Sequence, residues 1–153
     1  MPPRRRSVLD PVRPTFRAVA HTVVPDTAAL DEAGWQRLEA IVEQALADRP
    51  ERVRRQLAVF IRLIDALALA RHARRFRSLP PGQRVALLEQ LQDAPVLLLR
   101  RGFWGLRTLV LMGWYAQPET ADRIGYRGDV RGWPARPGLA ASVPLPHVPG
   151  AVG

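Results

Sequence analysis

Cysteine, lysine and asparagine are all missing from this chain of 153 residues. Without cysteine there is no disulfide framework, no thiolate metal cluster and no thiol nucleophile. Without lysine, all 23 basic residues are arginine. That usage points to GC-rich codons and a bacterial source. It also makes charge harder to read, because codon bias alone turns lysines into arginines. Histidine is scarce: His21, His72 and His147 stand far apart and show no metal-ligand spacing. Ser7, Ser78 and Ser142 are the only serines, and none sits in a G-x-S-x-G elbow. Gly125-Tyr126-Arg127-Gly128 lacks the strand–turn–helix context of a phosphate-binding loop. A hydrophobic fraction of 47% excludes a disordered chain, and the length suits one domain.

The charge that is present is uneven. The chain carries +9 in total, yet residues 25–50 hold six acids against two arginines. Residues 51–79 hold eight arginines against two acids. Such a cluster can bind phosphate by releasing counterions. It can equally form a solvated helix face, or meet an acidic protein. The second group of readings is favoured, since no series of base-stacking aromatics accompanies the arginines.

Two stretches imitate targeting or membrane signals. Arg4-Arg5-Arg6-Ser7-Val8-Leu9 resembles the start of a twin-arginine signal, and Ala18-Val19-Ala20 resembles a cleavage site. The interval between them is broken by Asp10, Pro11, Arg13, Pro14 and Arg17, so no apolar run exists there. A cytoplasmic location is therefore expected, with export alongside a partner as the alternative. Residues 96–115 are long enough to span a bilayer. Arg100, Arg101 and Arg107 lie inside that stretch, each costing about 3 kcal/mol at a bilayer centre. A buried helix of a soluble protein is expected instead, with no membrane span.

Hydrophobic periodicity predicts an all-α fold, a small bundle of about five helices between two irregular tails. Residues 1–14 form an extended arm, 15–117 the helical domain and 118–153 an extended Gly/Pro-rich tail. The first helix, 15–24, places Phe16, Val19, Ala20 and Val23 on one face and ends at Pro25. The second starts behind Asp31 as N-cap, with Trp35, Leu38, Val42 and Leu46 in its stripe. The third follows Pro50. It is apolar nearly all round after residue 56, which predicts the buried centre of the bundle. A fourth starts near Ser78, Pro80 and Pro81, and Pro95 opens a fifth, through about residue 116.

That fifth helix contains Gly102, Gly105 and Gly113, each costing about 1 kcal/mol relative to alanine. Such costs suggest close approach of another backbone, with Gly102 and Gly105 as the packing pair. The helix also carries Phe103, Trp104, Leu106, Leu109, Val110, Met112, Trp114 and Tyr115. This is more apolar surface than one core-facing side can use, and it points to a permanent partner. Beyond residue 117 the chain changes character. Prolines at 134, 137, 144, 146 and 149 forbid a regular helix there.

No constellation of catalytic groups emerges. Asp65 reads as a partner for Arg62 or an outside arginine, Glu39 and Glu43 as exposed residues on one helix face. His72 stands among Arg71, Arg74 and Arg75. Isolated groups of this kind are usually structural.

The order of several short pieces does carry a resemblance. The first helix ends in Val23-Val24-Pro25-Asp26. A middle piece runs Arg75-Phe76-Arg77-Ser78-Leu79-Pro80-Pro81-Gly82-Gln83-Arg84, followed by Leu87-Leu88. The last helix ends Gly113-Trp114-Tyr115-Ala116-Gln117-Pro118-Glu119, and Ile124-Gly125-Tyr126-Arg127-Gly128 follows. Across about residues 15–130 this resembles the gluconate 2-dehydrogenase subunit 3 family, small helical subunits that accompany flavin-bearing GMC-type oxidoreductases. Two departures stand out: the missing apolar run after the twin arginines, and His21 where members more often carry an acid.

The resemblance implies a non-catalytic small subunit that stabilises or matures a large FAD-dependent GMC-type flavoprotein acting on alcohol or sugar CH–OH groups. A cytochrome c subunit is a further partner it allows. FAD belongs to the partner, and no catalytic, cofactor-binding or metal-ligating residue is expected in this chain. The expected partner contacts are Phe103, Trp104, Trp114 and Tyr115 on the fifth helix, and Ile124, Tyr126, Arg127 and Trp133 in the tail. Tyrosine and tryptophan are frequent anchors of interfaces. The competing reading is a helical nucleic-acid-binding regulator using the Arg-rich face of 51–77; no nucleic-acid partner is expected on the favoured reading.

Overall fold

The computed structural model describes residues 7–123, with side chains through residue 120. Among these residues there are helices and turns and no strand, in agreement with the all-α expectation. The helices are α1 (Arg13–Val23), α2 (Glu32–Ala47), α3 (Glu51–His72), α4 (Pro81–Gln92), α5 (Leu97–Tyr115) and the short α6 (Pro118–Arg123). Short 3-10 turns at Asp10–Val12, Pro25–Ala29 and Phe76–Ser78 connect or extend them.

The start and end of the helical region differ from the sequence expectation. The arm expected to be extended through residue 14 is already helical from Asp10 onward. Val8, Leu9 and Val12 are buried there, so the segment has apolar contacts that offset its ordering entropy. Glu43 holds it in place, accepting hydrogen bonds from Ser7 Oγ (2.6 Å) and from the Leu9 N–H (2.8 Å). At the other end, the tail expected to be irregular from residue 118 first makes α6, with Pro118 in its first turn.

The centre of the bundle is α1, not α3. Phe16, Val19 and Ala20 are fully buried, and α1 packs against α3, α4, α5 and the Phe76–Ser78 turn. Helix α3 buries only one side, through Phe60, Ile61, Ile64 and Ala68. Leu57, Leu63 and Leu67 are half-buried against the core, while Val53, Val59 and Leu69 remain open, Val59 at 61% exposure. Periodicity reports how apolar α3 is; it does not reveal that none of the described residues covers the second face.

The polar side of α1 meets α2. Glu39 is buried between them and accepts from Arg13 Nε (2.9 Å) and Arg17 Nε (2.5 Å), one on each oxygen. Arg17 also makes a bidentate pair with Glu32, at 2.8 and 2.9 Å, and lies 5.3 Å from the Trp35 ring centroid. The expectation that Glu39 and Glu43 are exposed is thus corrected. Glu39 is buried against two arginines, and Glu43 is half-buried with a hydroxyl and a backbone N–H as donors, so neither carboxylate lacks hydrogen bonds.

Two glycines of α5 admit neighbours. A Cβ on Gly102 would meet the Phe60 ring of α3 at 2.6 Å. One on Gly113 would meet Leu38 of α2, at 3.0 Å from Cγ and 3.2 Å from the backbone oxygen. The close-packing pair is therefore Gly102 and Gly113, while Gly105 meets nothing within 4 Å. Beyond Gly113 the α2–α5 seam continues: the buried Gln117 donates Nε2–H to the Gly34 carbonyl at 3.1 Å.

The α3–α4 connection is held by its own side chains. Helix α3 ends at Ala73 with φ 52°, a left-handed conformation that turns the chain back. Asp65 then accepts the Phe76 N–H at 2.9 Å and faces Arg75 at 3.5 Å, so its role is structural, with an outside arginine. Arg84 donates to the carbonyls of Leu79 (2.9 Å) and Arg77 (2.7 Å). Ser78 lies in the 3-10 turn and does not cap α4; Pro80 is the N-cap residue instead.

Overpacking sets the first expectation. Gly102→Ala and Gly113→Ala should each lower stability by about 1–3 kcal/mol, measured by urea denaturation. The second concerns pH. The hydrogen-bonded pair with Arg17 holds the Glu32 carboxyl below its ordinary value of 4.5 and pushes the guanidinium pKa up. A carboxyl lowered in the folded state stabilises above its unfolded pKa, and that contribution fades as pH falls through the folded value. The stability gap between the parent and Glu32→Gln should therefore be larger at about pH 7 than at about pH 3.

Candidate functional site

Helix α5 has two apolar sides, and its register assigns them different work. Phe103, Leu106, Val110 and Trp114 point into the core and are buried. Trp104 follows Phe103 by one residue, about 100° around the helix, and is 44% exposed. Tyr115 stands about three turns further on, on the same outer side as Trp104, and is also exposed. Phe103 and Trp104 still touch edge to face, with centroids 6.0 Å apart. Arg107 lies over the Trp104 ring at 5.3 Å and helps fix its orientation.

Helices α3 and α5 meet at Phe60 and Gly102. Between them runs an open groove of about 1070 Å³. Leu57, Phe60 and Leu106 form its floor, Val53, Val59 and Leu63 one wall, and Leu98, Trp104 and Leu109 the other. Several of these are openly exposed, Leu98 at 72%. Arg52, Arg55 and Arg101 stand along its edge, with Glu51 the one carboxylate among the lining residues. A continuous apolar trough of this kind on a surface marks a place where another molecule packs.

Among the described residues the titratable groups do not assemble into a reactive constellation. His21 Nδ1 lies 3.4 Å from Thr27 Oγ1, whose hydroxyl donates to the Val24 carbonyl. Among the described residues no group of three or more His, Asp or Glu could hold a metal ion. Among the same residues no helix is long and apolar enough to cross a membrane. The arginines of 51–77 do not make a single free face: Arg54 and Arg55 pair with Glu51, and Arg75 with Asp65.

The residues expected from the sequence to meet a partner therefore divide. Trp104 lines the groove and Tyr115 is exposed beyond it. Phe103 and Trp114 are core residues, because the α5 register turns them towards α1–α4, and they are corrected accordingly. Ile124, Tyr126, Arg127 and Trp133 lie outside the described residues. Sequence reasoning misses Val59 and Leu98, and it places Gly105 in a packing pair with Gly102 where the structure places it on the open groove. The available signal for Val59 is the second apolar face of α3.

The family model described as gluconate 2-dehydrogenase subunit 3 matches residues 12–132, most of the chain. No curated protein and no solved structure matches it. The chain belongs to the gluconate 2-dehydrogenase subunit 3 family, and hence to the subunits of a dehydrogenase complex.

The division of the aromatic pair is testable. Phe103→Ala should cost about 3–5 kcal/mol of stability. Trp104→Ala should cost clearly less, about 1 kcal/mol, since 44% of Trp104 is already exposed. Equal losses in guanidinium denaturation would contradict the assigned register.

Proposed function

From its membership in the gluconate 2-dehydrogenase subunit 3 family, we propose that this chain is the non-catalytic small subunit of a complex whose large subunit is a GMC-type flavoprotein. The large subunit carries FAD and oxidises an alcohol or sugar CH–OH group. The small subunit stabilises or matures it, and a cytochrome c subunit can join as electron acceptor. Assembly in the cytoplasm is part of this reading.

The observation that carries it is the uncovered apolar groove between α3 and α5. A chain that folds around its own core through α1, yet leaves Val59, Leu98 and Trp104 open, keeps surface that a second protein can bury. Membership in a family of dehydrogenase subunits supports the same conclusion.

Co-expression with a large flavoprotein subunit from the neighbouring gene should yield a yellow complex of fixed stoichiometry. The chain expressed alone should aggregate or self-associate, as measured by light scattering. A colourless, monodisperse monomer that ignores the flavoprotein would remove the proposal.

A further inference from the structure

We infer that the α3/α5 groove seats one amphipathic helix of the large dehydrogenase subunit, a helix with an apolar ridge flanked by carboxylates. This rests on the small-subunit reading above and adds where docking occurs and what chemistry recognises it. The groove runs beside residues 53–63 of α3 and 98–109 of α5. At 1.5 Å rise per residue that is a length of about 15 Å, enough for roughly three turns of a docked helix. An apolar trough between two helices is the surface that helix-in-groove recognition uses.

Gly105 says how close the occupant comes. Gly102 and Gly113 have reasons inside the chain, since Phe60 and Leu38 fill the space beside them. Gly105 has none: it is exposed, lines the groove, and a Cβ there meets nothing within 4 Å. A glycine inside a helix weakens that helix. Here no contact within the described residues offsets the loss. A partner backbone or large side chain resting on Gly105 supplies that contact.

Charge selects the flanks. Arg52 and Arg101 stand at the groove edge with no ion-pair partner among the described residues, and Arg55 shares Glu51 with Arg54. The chain as a whole carries +9. An incoming helix with basic or neutral flanks leaves these guanidiniums unpaired at the rim. One with aspartate or glutamate there pairs them and is steered towards the groove.

The test uses the full chain co-expressed with the large subunit. A Val59→p-benzoylphenylalanine variant is irradiated in the complex, and the crosslinked peptides are read by mass spectrometry. The expected product joins residue 59 to one acid-flanked helix of the large subunit. A crosslink to a second copy of this chain, to residues 124–153 of the same chain, or to no protein at all overturns the inference. In parallel, Gly105→Leu and Arg101→Glu should each weaken retention of the large subunit roughly tenfold or more. Val85→Glu, on α4 and outside the groove, should not. Gly105→Ala should raise the urea midpoint for refolding of the dilute chain, which shows that Gly105 is not needed for folding. If the parent binds the flavoprotein and the groove variants bind equally well, the groove assignment falls and the small-subunit reading stands. If the parent binds no large subunit, both fall together.

Discussion

The structure depends on the way α1 is held, with its apolar side sunk into the core and its charged side clamped to α2. Phe16, Val19 and Ala20 fill the space between α3, α4 and α5. Arg13 and Arg17, on the other side, neutralise the buried Glu39. A buried carboxylate without donors is costly, so this register of α1 against α2 is favoured over any that separates the charges. The apolar contacts supply the driving force, and the ion network selects one arrangement among those they allow. Glu43 extends the same logic to residues 7–9, whose polar groups it satisfies.

Once α1 and α2 are set, α5 has little freedom. Leu38 fits where Gly113 has no side chain, and Phe60 fits where Gly102 has none. These two close approaches hold α5 at both ends, against α2 and against α3. The inner residues Phe103, Leu106, Val110 and Trp114 then complete the core. The outer residues are left without cover, and the groove follows from this same packing. Core and surface site are thus two sides of one helix, and the α5 register decides which aromatic serves which purpose.

The chemistry follows the same division. Glu39, Glu43, Asp65 and His21 are engaged in holding segments together. The part of the molecule that is free to act is apolar and rimmed by arginine. Membership in a family of dehydrogenase subunits fits that allocation, with binding rather than bond-breaking as the contribution proposed for this chain.

Much was legible in the sequence because periodicity and capping are local. The five main helices, the Asp31 cap, confirmed by its bond from the Gly34 N–H at 2.7 Å, and the glycine cost in α5 need only neighbouring residues to be read. The ordered pieces from Val23 to Gly128 were enough to indicate the family. Which helix lies at the centre was not legible, since α1 and α3 are both amphipathic and only their packing partners distinguish them. The burial of Glu39 was half visible: it lies in the α2 stripe beside Leu38 and Val42, but its donors come from a segment more than twenty residues away. Sequence by itself determined helix content, apolar surplus and family. Tertiary structure alone decided that the surplus on α3 and α5 converges into one groove, because side chains from distant segments meet only when the helices between them are packed.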